Sequence, residues 1–189
     1  MDDDGGGAPG NSPFTGLYTW IWQLPQSVAS ANIESGGTVT DTSTLLDFIK
    51  SKGFKGVLIK AGQGNHLYPA SDPFSSSLVN LCHQKGLKIY GWHYIYGGTY
   101  DAAWMEYTSV TEEANIAKQI LATGCDGLIL DWETEFRDVG GDLGATPAAN
   151  ALQFGQEVRQ SYPNAFIAHA PIWNPNRFFA IFSGSSVII

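Results

Sequence analysis

A chain of 189 residues with 43% hydrophobic and 15% charged side chains can bury one sizeable core, which excludes a disordered or fibrous protein. A formal net charge of −8, with no basic cluster to offset it locally, argues against a nucleic-acid partner. No apolar run approaches the roughly 18–20 residues that a membrane span requires.

Residues 1–13 open with Met1-Asp2-Asp3-Asp4-Gly5-Gly6-Gly7, acidic and Gly-rich, the opposite of a signal peptide. They read as a disordered tail or linker before a single domain over 14–189. The aromatic, β-branched run 14–24, ended by Pro25, predicts a first strand, and a long loop to Thr40 follows. Asp41 or Thr42 can cap a helix whose Leu45, Phe48 and Ile49 fall on one face and which Gly53 closes. Lys55–Ala61 is the second strand. Asp72-Pro73 reads as the start of a helix that carries Leu78, Leu81 and Cys82 inward and stops at Gly86. Leu87–Tyr96 is the third strand, and after an aromatic loop Thr111 caps a helix with Ala117, Ile120 and Leu121 inward. The run Gly127-Leu128-Ile129-Leu130 is apolar enough for a strand buried on both faces. It leads directly into Asp131-Trp132-Glu133-Thr134-Glu135. Pro147 begins a helix presenting Ala151, Phe154 and Val158, and Ala165–Ala170 is a fifth strand. After a short turn or helix around Arg177–Phe182, Val187-Ile188-Ile189 reads as the stub of a sixth.

Strands alternating with helices predict βαβ units and a parallel sheet. Helix-to-strand turns are short and strand-to-helix loops long, the asymmetry of an α/β barrel whose site is built from its βα loops. The expected fold is therefore a (β/α)8 TIM barrel, here its first five βα units and the start of strand six. At the same spacing, closure would take on the order of another hundred residues. A doubly wound open sheet is the other possibility, but no Gly-x-Gly-x-x-Gly follows the first strand to cradle a dinucleotide. Cys82 and Cys125, the only cysteines, make neither a disulfide framework nor a metal site and read as buried free thiols.

Strand alternation puts Asp131 and Glu133 on one face, about 6.6 Å apart, and sends Trp132 to the other, toward the helices. Close carboxylates drive their pKa values apart, the condition glycosidic cleavage uses. The alternative is a buried ion pair, Asp131 with Lys60. Glu135 reads as a loop acid or rim contact. The tryptophans Trp20, Trp22, Trp92, Trp104, Trp132 and Trp173 all lie at or just past strand ends, as do Tyr68, Tyr94, Tyr96, Tyr100 and Tyr107. Some fill the upper layer of the barrel; the rest would form a rim suited to stacking on sugar rings. Gln23 and Lys60 join the candidate substrate contacts, as do His93 and His169, each of which could instead be a hydrogen-bonded core histidine. The two histidines with Asp131 and Glu133 could in principle hold a divalent metal, but no His spacing supports it, and no cofactor is expected.

The segments Trp20–Leu24, Val57–Lys60, Tyr90–Gly97 and Leu130–Glu133 resemble a bacterial or phage glycoside-hydrolase-like barrel, similar in outline to the family-25 muramidases. The resemblance implies Glu133 as general acid and Asp131 as its partner, acting on peptidoglycan before chitin. Where that family carries an Asp near the end of strand one, this chain has Trp20, Trp22 and Gln23. A carbohydrate-binding or structural barrel without catalysis is the alternative. The expected partner is a polysaccharide, and compartment and oligomeric state are left open.

Overall fold

The computed structural model describes residues 15–69, 73–132 and 147–171. Numbered in chain order, the strands are β1 (Leu17–Ile21), β2 (Phe54–Gln63), β3 (His66–Leu67), β4 (Lys88–Ile95), β5 (Tyr100–Asp101), β6 (Glu106–Tyr107), β7 (Gly127–Trp132) and β8 (Ile167–Pro171). The helices are α1 (Leu24–Glu34), α2 (Thr42–Ser51), α3 (Ser76–Gln84), α4 (Val110–Ala122) and α5 (Pro147–Ser161). Five strands run parallel in the order β1-β2-β4-β7-β8, each beside its predecessor. That is the order of the first five strands of a (β/α)8 barrel. β3 pairs antiparallel with the end of β2, and β5–β6 form a separate hairpin.

The two faces of the sheet are filled differently. Val57, Ile59, Ile89, Ile95, Leu128, Leu130 and Trp132 are buried against the helices. The inner face carries rings that meet across an intervening strand: Tyr18 of β1 with Tyr90 of β4 at 5.9 Å, and Tyr90 with Phe166, just before β8, at 5.8 Å. Trp20 and Trp92 repeat the pattern one layer higher at 5.4 Å. Layers drawn from alternate strands are how a barrel interior is packed. The skipped strands make room with glycine. A Cβ on Gly56 of β2 would stand 2.5 Å from the Lys88 carbonyl oxygen and 2.6 Å from the Tyr18 ring, and one on Gly127 of β7 would stand 2.8 Å from the Phe166 ring. Because a backbone carbonyl cannot swing aside, Gly56→Ala should destabilise the fold by about 1–3 kcal/mol in denaturant melts. A neutral result would mean that this layer is loosely packed.

Local chemistry accounts for most boundaries. Asp41 caps α2, its carboxylate accepting from the Thr44 amide at 2.7 Å while the Thr44 hydroxyl accepts from the Asp41 amide at 3.0 Å. Elsewhere the structure corrects the sequence reading. The segment expected as a loop to Thr40 holds helix α1, and Pro25 sits in its first turn, where a missing N–H costs nothing. Only Leu24 and Ala31 of α1 are buried, too few to print a helical period on the sequence. α3 begins at Ser76 rather than Pro73, with the Ser75 hydroxyl accepting from the Leu78 amide. Ser109, not Thr111, is the N-cap residue of α4, and Thr111 lies inside the first turn with its hydroxyl donating to Glu157. Among the described residues no helix is long and apolar enough to cross a membrane. Arg177–Phe182 and Val187–Ile189 fall outside the described residues.

Candidate functional site at the C-terminal end of the sheet

β2 places Leu58 and Lys60 on the inner face by simple alternation. Between Lys60 and Gly62 its register against β4 slips. The extra residue reverses parity, so Gln63 comes opposite Tyr94 and turns to the same face as Lys60. Its Oε1 accepts from Lys60 Nζ at 2.8 Å. Lys60 is only 6% exposed. Its ammonium lies 4.5 Å from the ring centre of Tyr68, 4.8 Å from Trp92, 5.4 Å from Trp22 and 5.8 Å from Tyr94. Cation–π attraction of about 0.5–2 kcal/mol for a good face offsets part of the lost hydration.

The rings are themselves held. Trp92 Nε1 donates to the Ile21 carbonyl at 3.2 Å, and Tyr68 is tied by its amide to the Ala61 carbonyl and by its hydroxyl to Gln23. Gln63 Nε2 reaches outward to the Tyr96 hydroxyl at 3.3 Å and to both Asp101 oxygens at 3.4 Å. Asp101, buried in the hairpin, also accepts from the Ala103 amide at 2.8 Å.

Burial pulls the Lys60 ammonium down to about 8, and the charges of Asp131 and then Asp101 oppose that pull only in part. At pH 7 roughly a tenth of the amine is therefore neutral, hundreds of times more than for an ordinary lysine. A lysine desolvated in an apolar pocket is an activated nucleophile.

No family model matches this chain, and no curated protein matches it. Among solved structures it is similar to a "putative phosphonomutase" from Burkholderia cenocepacia J2315, at 10% identity and a TM-score of 0.44, over 90% of this chain and 74% of that one. So loose a likeness transfers no chemistry. These comparisons correct the muramidase resemblance. No family model, of glycoside hydrolases or of any other group, answers to the Asp131-Trp132-Glu133 motif. The glycosidase reading, with its peptidoglycan and cell-wall assignments, falls. A short acidic motif at a strand end recurs wherever chemistry or an ion pair needs a carboxylate, so by itself it specifies neither.

Of the residues singled out from sequence, Trp22, Lys60, Trp92 and Tyr94 converge on one amine, and Asp131 acts on it electrostatically. Gln23 and Tyr96 stand one hydrogen bond further out, and Trp20 packs edge-on against Trp92. The histidines stand apart. His93 is wholly buried on the helix side, its Nε2 bonded to the Gly64 carbonyl at 2.9 Å, and burial pushes it down to about 4. His169 lies opposite Leu130 in register and shares the parity of Ile167, again toward the helices. Glu133, Glu135 and Trp173 lie outside the described residues. Gln63 and Asp101 belong to no motif, and Tyr68 shows in the sequence only as one more aromatic residue near a strand end. Among the described residues no cluster of three or more His, Cys, Asp or Glu converges as a metal site.

Proposed function

We propose that the protein is an enzyme acting on a small carbonyl compound, with Lys60 as the reacting amine. The observation that carries this reading is a nearly buried amine, faced by four aromatic rings and one neutral acceptor, at the strand ends of a barrel-type sheet. The neutral amine adds to the carbonyl carbon to give a carbinolamine. Loss of the former carbonyl oxygen as water then leaves an iminium, which draws electrons from the adjacent carbon and lets a bond there break. Asp131 offsets the positive charge held at the nitrogen, before and after addition, and Gln63 orients the amine. The surrounding rings keep competing water out.

The test is reductive trapping. The intact protein is incubated at pH 7.5 with glycolaldehyde or glyoxylate and cyanoborohydride, and labelled lysines are located by peptide mass spectrometry. Lys60 is expected to label first, and Lys60→Arg to remove that adduct alone. Labelling at Lys60 no faster than at exposed Lys52 would end the proposal.

A further inference from the structure

Helix α4 turns one wholly buried carboxylate away from solvent and onto the chain that follows β4. Glu113 Oε1 accepts from the Tyr96 amide at 2.7 Å, and Oε2 accepts from the Gly97 amide at 3.0 Å. Thr108 also steadies the carboxylate, while its hydroxyl accepts from the Gly98 amide at 3.0 Å and donates to the Thr99 carbonyl at 3.2 Å. From α5, Asn150 Nδ2 donates to the Gly97 carbonyl at 2.7 Å. Among the described residues the charged group bearing on Glu113 is Asp101, and the others that act on it are backbone amides and a neutral side chain. A buried acid whose hydrogen bonds are all used on one turn is costly unless that turn must be held. This turn begins the segment that supplies both outer partners of Gln63, the Tyr96 hydroxyl and Asp101.

We propose that Glu113 is a positioning residue for Lys60: it sets the turn at Tyr96-Gly97 and, through Tyr96, Asp101 and Gln63, holds the amine among its aromatic rings. This inference rests on Lys60 being the reacting amine. When Glu113 is ionised the turn is tight, Gln63 is pinned and the amine stays dry. When the carboxylate is lost the segment loosens, water reaches the amine and Lys60 reverts toward an ordinary lysine.

The experiment measures formaldehyde–cyanoborohydride labelling of Lys60 between pH 6 and 10 in the full chain. Wild type is compared with Glu113→Gln, Thr108→Val and Asp126→Asn. Asp126 sits at the opposite end of the sheet, paired with His83 and Lys88, and serves as the control for a loss of stability alone. Glu113→Gln and Thr108→Val are expected to raise the labelling midpoint by about one pH unit, cutting the rate at pH 7 about tenfold. Asp126→Asn should lower the melting temperature and leave the midpoint in place. A midpoint that stays near 8 in the folded variants sinks the role of Glu113 and spares that of Lys60. A wild-type midpoint near the ordinary 10.5 sinks both. Should Glu113→Gln fail to fold, Thr108→Val decides alone.

Discussion

Trp132→Ala should cost the fold about 3–5 kcal/mol in equilibrium denaturation, the range for truncating a buried tryptophan. Trp132 is fully buried at the end of β7, on the face opposite Asp131. Its ring meets Phe154 of α5 edge-to-face at 6.2 Å, inside a cluster that includes Ile95, Val110, Leu130 and Val158. The cavity left behind lies where α4 and α5 both rest on the sheet, and packed neighbours on two elements cannot collapse into it together. Trapping at Lys60 in the fraction that remains folded should be unchanged, because the two side chains are on opposite faces. A loss below about 1 kcal/mol would mean that the ring is not part of this core.

Lys60→Met should do the reverse, stabilising the protein while abolishing reductive trapping at that position. The lysine is protonated in the unfolded chain up to its ordinary 10.5, but only to about 8 in the folded protein. Folding below pH 8 therefore carries the full cost of keeping that charge dry, and the cost fades as pH rises from 8 toward 10.5. Methionine keeps the length and the ring contacts without the charge. The gain should be about 1–3 kcal/mol at pH 7 and vanish by about pH 10.5. Parallel melts of the two proteins at pH 7, 9 and 10.5 read this directly. A gain that persists at pH 10.5 would show that methionine simply packs better, and a loss at pH 7 would show that the four rings and Gln63 more than compensate the burial of the ammonium. Stability given up at one lysine is the usual mark of a site kept for chemistry.

How far the sequence reaches depends on whether a property is local. The alternation of strands and helices, the apolar run Gly127–Leu130, the cap at Asp41 and the outward parity of Trp132 are each written within a few residues, and the structure contains all of them. That Lys60 and Asp131 share a face also follows from period two. The register slip after Lys60 does not, because a bulge is decided by how β2 fits β4 rather than by β2 alone, and it alone brings Gln63 to the amine. Asp101 lies 38 residues from Gln63 and Glu113 sits on a helix, so neither announces its role by spacing. The glycosidase reading drawn from the Asp131-Trp132-Glu133 motif failed for the same reason: a short acidic motif carries only local information, whereas chemistry requires groups from several strands and loops at one point. Only closure of the tertiary fold decides which ones meet, because the cost of burying a charge is set by everything around it.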